Sequence, residues 1–228
     1  MHQNDIITIE GIHYYAPDKR DFIYNNMILN NQIWEKVIVE KLCSFIEKES
    51  CSIDVGAHIG SHTIQFSKYS KKVFSFEPLK ENYDIFLENM RLNSVQNFIL
   101  FKKAVTDKKS RLVIDPICLR AKRRNSGASY LMEDEKGEID GDTLDNFLLN
   151  SGVFYDEKIS LIKYDVEEME IYALRGSINT INKFHPILYV EFIKERKRRK
   201  TKGKEVYDFL SSIGYSTVNG EREIWEKK

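Results

Sequence analysis

Cysteine is scarce in this sequence, and what there is suits neither cross-linking nor metal. The three thiols, Cys43, Cys51 and Cys118, are odd in number and lack metal-type spacing. Two of them lie inside apolar runs, where a free thiol packs as a small hydrophobe, so a reducing compartment is expected. A leader is not expected either, because Met1-His2-Gln3-Asn4-Asp5 offers no basic segment ahead of an apolar stretch. No uncharged apolar run is long enough to span a bilayer, so the expectation is a soluble, cytoplasmic protein without membrane insertion. Net charge is absent too: 35 basic residues cancel 35 acidic ones. The overall field therefore gives no reason to expect nucleic acid or membrane as the default partner. Internal repeats and low-complexity linkers are lacking, which leaves 228 residues, 42% of them hydrophobic, for one substantial core. The expected layout is an N-terminal extension, 1–48, packed on a single larger unit, 49–228.

From Cys51 onward, short β-branched and aromatic runs alternate with segments of helical period, the pattern of parallel strands joined by crossover helices. Strands are expected at 51–55, 73–77, 97–105, 159–164 and 186–192. Helices are expected at 61–69, 79–93, 143–149, 168–181 and 204–212. In the second of these, Tyr83, Phe86, Leu87 and Met90 recur at three and four residues and share one face. Two further strands, 215–218 and 223–225, suit an α/β, doubly wound, mostly parallel sheet with an antiparallel strand near the C-terminus. Residues 111–114 could add a strand, and 116–141 reads as an excursion containing loops. Ahead of all this, a strand region at 6–15 and a helix at 32–46 should cover one end of the sheet.

In open α/β sheets ligands bind beyond the carboxyl ends of the strands. The first strand runs into Asp54-Val55-Gly56-Ala57-His58-Ile59-Gly60, where Gly56 permits a sharp turn and Gly60 lets the next helix sit closely. That helix start offers free N–H groups to a carboxylate. Glu77 ends the second strand, where a carboxylate can accept hydrogen bonds from both hydroxyls of a ribose. Glycine turn and acid, one helix apart, form a nucleoside-binding constellation. Glycines after strands are also common in plain turns, and Asp54 could merely cap a helix. A dinucleotide site needs G-x-G-x-x-G, and His58 occupies the second glycine position. A nucleoside cofactor without a pyrophosphate, S-adenosylmethionine, is the better expectation.

With these residues the sequence resembles a known family. The run Ser52 to Gly60, then Phe76-Glu77-Pro78, then Lys103-Ala104-Val105-Thr106-Asp107 look like the FkbM family of methyltransferases. Asp142-Thr143-Leu144-Asp145, Leu161 to Glu167 and Pro186 to Glu191 resemble its remaining signature in the same order. The resemblance spans about Ser52 to Phe192. It implies a class I methyltransferase fold and methyl transfer, commonly to an oxygen of a sugar, glycan or polyketide-like product. Asp54, Gly56, Ala57, His58, Gly60, Glu77 and the backbone of Ala104 are the expected cofactor-binding positions. Two departures stand out. His58 replaces the family's usual asparagine, and Glu168 replaces the glycine of Asp-Val-Glu-Gly.

A hydroxyl acceptor must be aligned with the sulfonium methyl group and must lose its proton. Asp165 and Glu191, at the ends of the fourth and fifth main strands, are the catalytic candidates. Asp165 with Glu168 also fits a capping box, and Glu191 could simply pair with nearby basic residues. A divalent metal stays unassigned, since Asp142, Asp165, Glu167 and Glu191 define no coordination sphere by spacing. His58 and His62, four apart, lack a third ligand for zinc and read as pocket lining or helix surface. His185 reads as a loop residue. The basic run 194–204 should emerge on the active-site rim, where it could hold an anionic acceptor, helped by Lys122, Arg123 and Arg124. The expected acceptor is a small molecule or glycan. The competing readings are RNA recruited by that run, and a non-catalytic cofactor binder in which Glu168 blocks the acceptor.

Overall fold

The computed structural model describes residues 5–116, 127, 129–150, 157–191 and 197–228, those at 150 and 197–202 by backbone alone. Strands β1 (Ile6–Ile9) and β2 (Ile12–Tyr15) pair antiparallel, with Ile9 opposite Ile12. Glu10 and Gly11 between them have φ of 51° and 80°, the left-handed pair that a two-residue hairpin requires. Helices α1 (Phe22–Asn30) and α2 (Lys36–Ser44) follow. The helix expected over 32–46 is thus shorter, and α1 was not anticipated. Its N-cap is Asp21, whose carboxylate accepts from the Ile23 N–H at 3.0 Å.

The body of the chain runs β3 (Cys51–Val55), α3 (Ser61–Phe66), β4 (Lys72–Phe76), α4 (Lys80–Leu92), β5 (Phe98–Phe101), β6 (Ala104–Val105), β7 (Ser110–Ile114), β8 (Leu131–Glu133), β9 (Ile139–Asp142), α5 (Leu144–Asn150), β10 (Ile159–Tyr164), α6 (Glu170–Arg175), α7 (Ile178–Phe184), β11 (Ile187–Val190), α8 (Lys197–Ser212), β12 (Tyr215–Thr217) and β13 (Ile224–Lys227). Seven strands form the main sheet in the order β12-β13-β11-β10-β3-β4-β5, and β13 alone runs against the rest. Chain order reverses between β3 and β10, and their carboxyl ends form the crevice of a doubly wound sheet. Such a mostly parallel sheet must be covered on both faces. One face packs under the β1–β2 hairpin, α1, α2, α3 and α4 through Tyr14, Met27, Leu42, Phe66, Phe86 and Leu161. The other packs under α5 to α8 through Phe74, Leu148, Ile162, Leu174, Leu188 and Leu210. Neighbours Leu161 and Ile162 enter opposite cores, as the two-residue period of a strand demands.

Three expectations are corrected. The single strand at 97–105 is two: β5 stays in the main sheet, while β6 joins a four-stranded sheet of order β6-β9-β7-β8. The excursion at 116–141 contains two strands of that sheet. The helix at 168–181 is broken after Arg175 at Gly176, which lies against the Thr106 carbonyl, where an added Cβ would sit 1.9 Å from the oxygen. The second piece is capped from outside, as Asp145 accepts from the N–H groups of Asn179 and Thr180 at 3.0 and 2.9 Å.

Candidate functional site

Where β3 ends, the chain must turn sharply beside β10. Gly56 has φ of +82°, and a Cβ there would lie 1.8 Å from the Asp165 carbonyl oxygen. No other residue fits this crossing of two backbones at the point where chain order reverses. Gly60 also has φ of +82°, and its missing side chain lets Phe86 and Met90 of α4 pack against the start of α3. Between them His58 holds φ of 50°, a left-handed conformation more open to histidine than to branched residues.

A cavity opens over this turn, lined by Gly56, Ala57, His58, Glu77, Ala104, Asp165 and Glu191 among others. Val55 lies beside Phe76 in the paired strands, so the glycine turn and the acid after β4 share one edge of the sheet. Glu77 is buried, and its Oε2 accepts from the His58 N–H and its Oε1 from the Leu79 N–H, both at 2.9 Å. Burial pushes its carboxyl up to about 7, against the pull of those amides, Asn82 and Lys163. Asp54 and Gly60 do not reach the cavity wall. Asp54 is fully buried one layer behind, accepting from Thr63 Oγ1 at 2.7 Å and from Lys163 Nζ at 3.1 Å. It ties the start of α3 to Lys163 behind the wall.

Lys163 was not singled out in the sequence, yet it organises the crevice. Its ammonium is buried and sits 3.1 Å from Asp54 Oδ1, 3.1 Å from the Gly56 carbonyl oxygen and 3.3 Å from Asp165 Oδ2. Burial alone would lower its pKa, but Asp54 and Asp165 outweigh burial and hold it above the ordinary lysine value. The signal was available: one lysine inside Ile159-Ser160-Leu161-Ile162-Lys163-Tyr164, a strand otherwise buried throughout, must carry a partner inside.

Asp165 and Glu191 face each other across the ends of β10 and β11. Burial pushes Asp165 up, but Lys163, a hydrogen bond with Glu191 and His62 together hold it below the usual carboxylate range. Glu191 goes the other way, lifted to about 10 by burial and by Asp165. The lysine beside Asp165 favours the charged form there, and Asp165 in turn favours the neutral form of Glu191. Asp165 does not cap the following helix, whose N-cap is Met169, without a side-chain hydrogen bond. Glu167 and Met169 line the cavity, while Glu168 is not among the lining residues.

The wall also has contributors from two other regions, of which sequence reasoning had assigned only the central insertion to the site, and through other residues. Ile23, Trp34 and Glu35 come from the N-terminal extension, and Gly127, Ser129 and Leu131 from the inserted sheet. His58 and His62 both line the cavity, and burial drops each to about 4. His185 ends α7 in a left-handed conformation with φ of 47°. Among the described residues, no cluster of three or more His, Cys, Asp or Glu is arranged to hold a metal ion. Nor is any described helix long and apolar enough to cross a membrane. Cys118, Lys122, Arg123, Arg124 and residues 194–196 of the basic run lie outside the described residues. Residues 197–204 begin α8, several residues earlier than expected, and Lys204 pairs with Asp208 at 2.9 Å.

The family model of the methyltransferase FkbM domain matches residues 54–217. No curated protein matches the chain. Among solved structures, methyltransferase FkbM from Methylobacillus flagellatus is similar at 17% identity and a TM-score of 0.51, over 78% of this chain and 43% of that one. Trm5b from Pyrococcus abyssi is similar at 12% identity and a TM-score of 0.53, over 97% of this chain and 55% of that one. An rRNA methylase from Streptococcus thermophilus is similar at 12% identity and a TM-score of 0.49, over 84% and 95%. The chain thus spans 43% and 55% of the lengths of the first two, and the likeness to them is one of fold. By the model that covers most of its length, and with a sheet of the class I methyltransferase type, this chain belongs to the FkbM family of methyltransferases.

Proposed function

We propose that the protein transfers the methyl group of S-adenosylmethionine to a hydroxyl of a sugar, glycan or glycosylated metabolite. The observation that carries this reading is the single cavity edge shared by the Gly56 turn, Glu77 and the Asp165–Glu191 pair. The cradle suits a nucleoside: the Gly56 site, where a Cβ would strike the Asp165 carbonyl, leaves backbone open to close approach. Glu77 Oε1 accepts from Leu79 and Asn82 and Oε2 from His58 alone, so Oε2 keeps a lone pair that can accept a ribose hydroxyl. Bound there, S-adenosylmethionine supplies a methyl group on a cationic sulfur, so the protein mainly has to align an acceptor and accept its proton.

Asp165 is the group for that task. Held ionised by Lys163, it accepts a hydrogen bond from the acceptor hydroxyl and orients the oxygen toward the methyl group. Glu191, held in its neutral form, donates to Asp165 and fixes its direction. The wall from the inserted segment, Gly127, Ser129 and Leu131, would set acceptor choice, since it borders the cavity outside the cofactor loop.

The test is to offer isotope-labelled cofactor to sugars, nucleotide sugars, glycolipids and RNA and to locate the label by mass spectrometry. Label on a sugar oxygen supports the proposal. Label on RNA alone, or on no acceptor despite cofactor binding, refutes it. With an acceptor in hand, Asp165→Asn should lower kcat by roughly 10²-fold or more while cofactor affinity stays within about twofold. An unchanged kcat would remove Asp165 from the reaction.

A further inference from the structure

Glu35 sits just before α2 at its N-cap, but its carboxylate does not cap the helix. Its backbone is left-handed, with φ of 52°. The side chain turns instead to the cavity wall, where Oε2 lies 3.4 Å from Nε2 of His62, in the first turn of α3. His62 is only 5% exposed, and its Nε2 makes no hydrogen bond. A buried imidazole nitrogen with no hydrogen bond, lining a cavity beside an acid, is a group awaiting a ligand. Glu35 also lies outside residues 54–217, so the family match gives it no role.

The position of this pair relative to the other polar groups says which part of a ligand it meets. Glu77 is on the β4 side of the Gly56 turn. Glu35 has Asp165 and Lys163, on the β10 side, as its foremost charged neighbours, with Glu223 beyond them. The sulfur of S-adenosylmethionine carries three arms: an adenosyl group, the methyl group, and a chain ending in an ammonium and a carboxylate. The cavity wall offers three polar clusters: Glu77, the Asp165–Glu191 pair, and Glu35 with His62. The third combines an acid to accept from an ammonium with an imidazole whose Nε2 makes no hydrogen bond and can donate to a carboxylate.

Resting on the proposed use of S-adenosylmethionine, we infer that Glu35 and His62 hold the amino-acid end of the cofactor. The Glu35 carboxylate takes the ammonium, and His62 donates from Nε2 to the carboxylate. The N-terminal extension thereby completes a cofactor site that the residues matched by the family model leave open at one end. Burial and Asp165 lift the Glu35 carboxyl to about 7, and an ammonium beside it would favour its ionised form.

Calorimetry with two probes separates the arms. S-adenosylhomocysteine carries the amino-acid end, and 5′-methylthioadenosine lacks it. The wild type should bind the first at least tenfold more tightly. Glu35→Gln should weaken S-adenosylhomocysteine binding at least tenfold and leave methylthioadenosine within about twofold, as loss of a charge-assisted hydrogen bond implies. Equal wild-type affinities for the two probes would overturn the inference without any variant. So would a Glu35→Gln protein that loses both equally or neither, while the cofactor reading stands. Failure of the wild type to bind either probe would bring down the cofactor reading itself.

Discussion

Lys163 is the residue on which the crevice depends most. It neutralises Asp54 behind the wall and Asp165 in it, and it also donates to the Gly56 carbonyl. Replacing it by methionine leaves two buried carboxylates without their cation, a change that costs about 3–5 kcal/mol when one partner of a buried pair is removed. Denaturant unfolding of Lys163→Met should therefore show a loss of that size, and a loss under 1 kcal/mol would mean that the ammonium is dispensable. Residue by residue, the site was partly legible. Gly56, Ala57, His58, Glu77, Ala104, Asp165 and Glu191 all border one cavity, because strand-end acids and turn glycines are placed by local order. Asp54 and Gly60 proved to stand behind it, and no local pattern distinguishes an acid that supports a wall from one that forms it. Glu35 was illegible, because its place depends on how the extension folds back over a loop distant in sequence.

At the scale of elements, the strands of the main sheet were readable from their buried β-branched runs, and the breaks were not. The helix expected over 168–181 ends early at Gly176, against the Thr106 carbonyl, and restarts under Asp145, and both Thr106 and Asp145 are distant in sequence. The same segment carries a strained entry. Glu167 and Glu168 are consecutive left-handed residues, with φ of 48° and 75°. Glu168 stands where the family's usual pattern has glycine, which adopts this conformation freely, whereas an L side chain there costs roughly 1–2 kcal/mol. Glu168→Gly should raise stability by about 1 kcal/mol after the entropy of the added glycine is deducted. Since Glu168 does not line the cavity, cofactor affinity should not change with it. A destabilised Gly variant would show that the glutamate carries a compensating interaction, and a changed affinity would restore it to the rim.

The whole molecule concentrates buried acid around one crevice, and this sets its response to pH. Burial holds Glu35, Glu77 and Glu170 near 7 and Glu191 near 10. An unfolded chain releases these protons around the ordinary glutamate value, so the folded state keeps more protons above it. Their stabilising contribution is full below that value and is lost as pH rises through the folded values. His58 and His62, held near 4, act in the opposite sense, but their effect is mostly complete by the ordinary histidine value. The ligand-free protein should accordingly lose thermal stability between pH 6.5 and 8, measured by melting in matched buffers. A flat or rising profile would mean that these carboxyls are ionised in the fold. The doubly wound architecture was legible at this scale, because alternating strand and helix patterns leave few topologies. Of the inserted four-stranded sheet only β7 was, since its other strands carry too few residues for a period to show.

The central claim is that a nucleoside is held between the Gly56 turn and Glu77. Calorimetric titration of S-adenosylmethionine into the wild type and into Glu77→Ala tests it most directly. The wild type should show saturable one-site binding and the variant at least a tenfold loss, since hydrogen bonds to a charged group are worth about 1.5–3 kcal/mol. A wild type that binds no cofactor, or a folded Glu77→Ala protein of unchanged affinity, would contradict it.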